Sequence, residues 1–236
     1  EPPTLVLEGP TPALANNGTT VVYMARYNDN LPGGLEVTLS PADAAVTPSA
    51  GSTASATASV HTTADPLVRE IRITDVTGDG NAQLQVAAGT AHDAVGNSAP
   101  SVLGAAFTVD NTPPTVFVSA PSIMESTGGD VVYTVSYAGA SAVTLTSADV
   151  TLHPTGDAEA SVSVGGTGTS ERTVTLSSVR GHGTLAISLA AGTASDTAGN
   201  LAAATDESGA CAVDNYLVTV SASPVAGGSV LLSPAG

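Results

Sequence analysis

Apolar and polar residues alternate along much of this chain. VVYMARY at 21–27 and VVYTVSY at 131–137 carry an apolar side chain at every second position, and SVSV at 161–164 and LAISL at 185–189 keep the same period. A period of two is that of a strand with one buried face. Clusters of Gly, Pro, Asp and Asn separate these segments, as turns require. No segment has a convincing helical period, so an all-β chain of short strands is predicted.

The pattern is written twice. AAGTAHDAVGN at 87–97 recurs as AAGTASDTAGN at 190–200, with eight of the eleven positions identical. VVYMARY matches VVYTVSY, VTLSPAD at 37–43 matches VTLTSAD at 143–149, ITDVTGDG at 73–80 matches LSSVRGHG at 176–183, and VDN at 109–111 matches VDN at 213–215, always in the same order. Short insertions such as NDNLPGG after Tyr27 belong in loops. Two domains follow, 1–112 and 113–215, each close to the length of an immunoglobulin-like sandwich of about seven strands. In the second, Val131, Tyr133, Val135, Tyr137, Val143, Leu145, Val162, Val164, Val174, Leu176, Leu185, Ile187, Leu189, Cys211 and Val213 are predicted inward. Tyr23, Tyr27, Leu39, Ile71, Ile73, Leu84, Val86 and Phe107 hold the matching places in the first. Residues 216–236 read as strand, Gly-Gly turn and strand, a short β tail opening a third, truncated repeat.

Composition narrows the picture. Hydrophobic residues make up 42% but aromatics only 3%, with no Trp, so the cores must be built from aliphatic side chains. Twenty-one acidic residues against five basic ones give a formal net charge of −16, which repels phosphate backbones and anionic membranes; nucleic acid is not an expected partner. Clustered oxygen donors on such a surface suit a hard cation. The single cysteine, Cys211, excludes an intrachain disulfide and is expected to be a small buried apolar residue. No apolar run is long enough for a membrane helix, and no charged-then-apolar leader opens the sequence, so it reads as a fragment excised from a longer protein.

The Tyr-rich second strand, SADVTL, the GDG or GHG turn, the D-x-x-G-N loop and the VDNTPPTV linker together resemble bacterial immunoglobulin-like tandem repeats of large secreted adhesins and cell-surface proteins. The likeness covers both repeats. More weakly, ASPVAGGSV in the tail resembles the divergent repeats that follow such domains. The resemblance implies an extracellular or cell-surface location, neighbouring immunoglobulin-like domains of the same polypeptide as partners, and calcium held between domains.

In an immunoglobulin-like strand order, Asp196, Gly199 and Asn200 fall in the loop before the last strand, at the end that faces the preceding domain. The linker residues Asp110 and Asn111 approach from that side. Those four residues, Asp110, Asn111, Asp196 and Asn200, are the candidate Ca2+ site at the junction. Asp93 with Asn97, and Asp214 with Asn215, are half-sites lacking a neighbouring domain. An alternative stands beside the metal: a tight hairpin in which Asp accepts nearby backbone N–H groups while Gly and Asn take positive φ. Pro113 and Pro114 could stiffen the linker without any ion.

Other candidates are weaker. DVTGDGN at 75–81 superficially resembles a calcium loop but has Thr77 and Val86 where carboxylates belong, and is taken as a turn. His61, His92, His153 and His182 lack paired zinc spacing. Asn17-Gly18-Thr19 fits a sequon and equally a turn. No nucleophile elbow or P-loop is present, and no catalytic residue is assigned. The absence of Lys rules out Lys–Asn isopeptide cross-links. The expected function is a monomeric structural spacer of a surface adhesin, whose host, cell-surface or matrix ligand is unknown. The alternative is a carbohydrate- or protein-binding accessory module of a secreted enzyme, which would need exposed aromatics for sugar stacking. Tyr23, Tyr27, Tyr133 and Tyr137 are instead expected in cores.

Overall fold

The computed structural model describes residues 1–29 and 34–215, so the expected β tail at 216–236 lies outside the described residues. Strands β1 (Thr4–Thr11), β2 (Leu14–Ala15), β3 (Val21–Asn28), β4 (Glu36–Val37), β5 (Ala44–Pro48), β6 (Ser55–Thr62), β7 (Val68–Thr77), β8 (Gly80–Val86), β9 (Ala91–His92) and β10 (Val102–Val109) come first. They form one sheet in the order β1-β3-β7-β6 and a second in the order β2-β10-β8-β5. All neighbours in the two sheets are antiparallel except β2 and β10. This is the strand order of an immunoglobulin-like sandwich, with the first strand split between the two sheets. Gly9 stands at that switch with φ of +121°, where a Cβ would come 2.7 Å from the Val22 carbonyl oxygen.

The order repeats in β11 (Thr115–Val118), β12 (Glu125–Ser126), β13 (Val131–Ala138), β14 (Ala142–Val143), β15 (Val150–Pro154), β16 (Glu159–Gly165), β17 (Glu171–Leu189), β18 (Ala194–Ser195) and β19 (Cys211–Asn215). Here the fifth and sixth strands are one continuous ribbon. The first part of β17 pairs with β13 and β16, and its last part pairs with β19 and β15, so a single strand serves both sheets.

The corner in that ribbon explains the repeated GDG and GHG segments. Asp75 and Ser178 both take φ of +54°, which turns Val76 and Val179 into the cores at 1% and 2% exposure. The glycines that follow let the turn between β5 and β6, or β15 and β16, close over the corner. A Cβ on Gly78 would overlap the Thr53 carbonyl, one on Gly181 the Asp157 carbonyl, and one on Gly183 the Thr155 carbonyl. Residues 75–81 are therefore the end of β7, a packed corner at Gly78 and Asp79, and the start of β8.

The buried residues fall into two clusters, one drawn from residues 5–109 and the other from 131–213, with no member in common. The four tyrosines on β3 and β13 are core residues whose hydroxyls find partners. Tyr23 donates to Ala105 O at 2.5 Å, Tyr27 to Thr90 Oγ1 at 2.7 Å, Tyr133 to Leu185 O at 3.2 Å and Tyr137 to Thr193 Oγ1 at 3.4 Å. Burial pushes the Tyr23 hydroxyl pKa up to about 12. Cys211 is fully buried beneath the second sheet pair. Val143, Val162 and Val164 are only half-buried: β16 is the edge of its sheet, and β14 is a two-residue strand at the rim.

A substitution at the corner should be among the costliest in the chain. Gly183→Ala combines a φ of +144° with overlap on the Thr155 carbonyl, and should destabilise by about 2–4 kcal/mol in chemical denaturation. A loss below about 0.5 kcal/mol, the ordinary surface value, would show that the turn yields freely.

Candidate functional site at the junction of the two sandwiches

The loops that precede β10 and β19 have one construction. Asp93 Oδ1 accepts the backbone N–H groups of Val95 at 3.0 Å and Asn97 at 2.8 Å, and its Oδ2 accepts Asn97 Nδ2 at 2.7 Å. Asp196 does the same for Asn200, with the backbone N–H at 2.9 Å and Nδ2 at 2.8 Å. Gly96 and Gly199 supply φ of +90° and +89° between them. The D-x-x-G-N sequence is thus a hairpin closed on its own aspartate, and both aspartates are buried.

In the second sandwich the loop also reaches its neighbour. Asn200 Nδ2 spends its other proton on the Asp110 backbone oxygen at 2.8 Å, and Asn200 Oδ1 lies 3.4 Å from the donor Asn16 Nδ2. Asn111 faces the other way and fastens the linker to the base of the first sandwich. Its backbone N–H donates to Asp79 Oδ1 at 2.7 Å, its Nδ2 to Gly78 O at 2.7 Å, and its Oδ1 accepts Asn17 N–H at 2.6 Å. Asp110 binds back to Ala15 O through its N–H at 2.9 Å, while its carboxylate accepts Thr112 N–H at 3.1 Å.

The structure therefore brings Asp110, Asn200 and, behind them, Asp196 together, and turns Asn111 toward the first sandwich. As placed, these residues do not fit a calcium cage. Asn200 presents its amide nitrogen, not its oxygen, to the Asp110 carbonyl, and Asn111 Oδ1 is committed to Asn17. Among the described residues no three His, Cys, Asp or Glu side chains group as a metal would need. Of the half-sites, Asp93 and Asn97 bond each other; Asp214 Oδ1 lies 3.7 Å from His182 Nδ1, and Asn215 Nδ2 donates to Val179 O at 2.9 Å.

Asn16, Asn17 and Asp79 are junction residues that sequence reasoning missed. The N-N-G-T stretch signals only a turn, which it forms, with Gly18 and Thr19 N–H groups donating to Asn16 O. Nothing local marks which carbonyl or carboxylate such a turn will meet.

No family model matches the sequence, and no curated protein matches it. Among solved structures the chain is similar to FdeC, an adhesin of Escherichia coli, at 16% identity and a TM-score of 0.40, over 90% of this chain and 63% of that one. It is similar to domains A168–A170 of titin at 10% identity and a TM-score of 0.26, over 90% and 65%. Domains 5–6 of the S-layer protein SbsC align at 14% identity and a TM-score of 0.26, over 89% and 99%. The chain spans less than two thirds of the first two structures, by the coverages of 63% and 65%. The fold assignment rests on strand order and register and not on these likenesses.

The loop aspartate gives a pH signature. Burial alone would raise the Asp93 carboxyl pKa, but hydrogen bonds from the Asn97 side chain and the Asn97 and Val95 backbone outweigh it and hold the value below the usual carboxylate range. A carboxyl depressed by folding contributes stability above its unfolded pKa of about 3.9, and that stability is lost as pH falls through the folded value. Melting temperature should therefore drop below about pH 4 in the native chain. Asp93→Asn should be less stable at neutral pH and flatter over that acid range, and parallel acid limbs in the two proteins would remove Asp93 as a contributor.

Proposed function

We propose that the chain is a spacer segment of a bacterial surface protein, in which sandwiches are held at a set angle by a hydrogen-bonded clasp. The observation that carries this is the two-sided junction. Asn111 ties the linker to the first sandwich, and Asn200 ties the second sandwich to the Asp110 carbonyl beside it. The prolines between them restrict the remaining backbone. An enzyme needs convergent reactive groups in a cleft, whereas the carboxylates at this site, Asp79, Asp110 and Asp196, each accept hydrogen bonds from the linker or the loop. Among the described residues all four tyrosines lie in the cores and Phe117 is the one exposed aromatic side chain, too few for a stacking platform, so the spacer reading is preferred to a carbohydrate-binding module. The cell-surface setting follows from the family resemblance of the repeats, the linker and the loops.

The clasp needs no ion. Calcium at the same place would have to turn the Asn200 amide over so that its oxygen, the Asp110 carbonyl and the Asp196 carboxylate faced one centre. Melting curves in chelator and in millimolar calcium distinguish the two. Coincident curves are expected for the clasp, and a rise of several degrees that disappears in Asp196→Ala would replace it with a metal site.

The clasp itself is tested by Asn200→Ala. Each hydrogen bond lost should cost about 1 kcal/mol. Small-angle scattering should show a broader distribution of interdomain distances than in the native chain. Unchanged scattering together with an unchanged melting temperature would sink the proposal.

A further inference from the structure

The first sandwich carries the same hook as the second, at the end away from the junction. Asp93, Gly96 and Asn97 reproduce the hydrogen bonds and positive φ of Asp196, Gly199 and Asn200. Asn200 spends one amide proton on a neighbouring carbonyl, whereas Asn97 bonds only Asp93 among the described residues. Pro2-Pro3-Thr4 leads into β1 as Pro113-Pro114-Thr115 leads into β11, with Pro3 and Pro114 both buried. Val95 stands 74% exposed at the loop tip, where the second sandwich has the half-buried Ala198. Asp29 Oδ1, at the same end of the sandwich, is buried and has no hydrogen-bond partner among the described residues.

We infer that this end of the first sandwich is a docking surface for the base of another sandwich tethered ahead of it, with Asn97 donating to the carbonyl that ends that sandwich's last strand. The inference rests on the clasp reading above and adds a selectivity to it. The base of the first sandwich offers Asn16 as a second donor and Asp79 to hold the linker asparagine. Among the described residues, the base of the second sandwich has no counterpart of Asn16 or Asp79. Its corresponding turn, Ser126 to Gly129, is closed by Ser126 Oγ on Gly129 O, and His182 stands where Asp79 would be. The surface therefore takes a sandwich of the first kind and discriminates against the second kind, which sets an order for modules in a string.

The test adds residues 1–111 ahead of Glu1 of the full chain, and in a second protein adds residues 113–215 instead. In the first, Asn97→Ala should lower the melting temperature several degrees more than it does in the native chain, where only its bond to Asp93 is lost. The loss should be non-additive with Asn16→Ala in the added copy. In the second, Asn97→Ala should cost no more than in the native chain. The same cycle between Asn200→Ala and Asn16→Ala in the native chain reports on the clasp itself. Coupling there with none at Asn97 overturns this inference alone, and no coupling in either removes the clasp as well. A loop swap in the native chain keeps the test decisive if an added sandwich does not fold. Thr197→Ala with Ala198→Val installs the first sandwich's loop at the junction. It should preserve the native scattering profile, and a loosened junction would show that the first loop cannot act as a hook.

Discussion

The direction in which the chain leaves the first sandwich is fixed by the hydrogen bonds of Asn111, and the arrangement of the two units depends on it. A linker asparagine in water would sample many conformations. Here its backbone N–H, its amide nitrogen and its amide oxygen are each held by a different part of one base: Asp79, Gly78 and Asn17. Two of those partners are backbone groups of turns, Gly78 O and Asn17 N–H, and the third is the Asp79 side chain, so the asparagine is held from three directions. With the linker start fixed and prolines following it, the second sandwich has few orientations left, and Asn200 needs only to select among them. A side chain that makes two hydrogen bonds of modest net value can then do so, because most of the ordering entropy is already met by the linker.

The same economy appears inside each sandwich, where polar devices recur at matching places. Arg69 reaches Val37 O at 3.2 Å and Arg172 reaches Val143 O at 3.2 Å, each bracing the rim strand beside the loop that carries the hook. Asp43 accepts both the N–H and the hydroxyl of Ser40, and Asp149 those of Thr146, so the carboxylate of each sits below its usual pKa. Tyr27 and Tyr137 bond Thr90 and Thr193 at the root of the hook loops. The hook is thus supported from the core outward in both units. The bases of the two units are not equivalent, as the replacement of Asp79 by His182 and the shorter turn at Ser126 show.

What could be read from the sequence follows from which interactions are local. The period-two pattern of VVYMARY and VVYTVSY announced β3 and β13 and their buried tyrosines, because alternation is a property of one strand. The repeated D-x-x-G-N announced a turn, because positive φ and a side-chain acceptor act within five residues. The meeting of Asp110 with Asn200 was legible only because the repeat itself defined a junction. Its chemistry was not legible: donor or ligand is decided by which face of the Asn200 amide turns inward, and that depends on Asp196 and the Asp110 carbonyl together. Asn16, Asn17 and Asp79 lie far along the chain from their partners, and no local pattern encodes such contacts. The continuity of β17 escaped for a related reason. The glycine-rich corner interrupts the ribbon in the first sandwich and only bends it in the second, although a turn carbonyl packs over it in both.

Charge completes the argument about angle. With a formal net charge of −16 and no lysine, adjacent sandwiches repel, and repulsion alone would favour an extended string. Screening limits its reach to about 8 Å at physiological ionic strength, shorter than either sandwich, so it acts chiefly across the junction and cannot define a rotation about the linker. The ion pairs among the described residues do not help: Arg26–Glu8, Arg72–Glu70, Arg180–Glu159 and His182–Asp214 are each formed within one sandwich, on its surface. Directional hydrogen bonds are the remaining means of setting a rotation, and the junction supplies them through side-chain amides. The bond from the Asn200 amide to the Asp110 carbonyl joins two uncharged groups, so it should be far less sensitive to salt than the spacing that repulsion imposes.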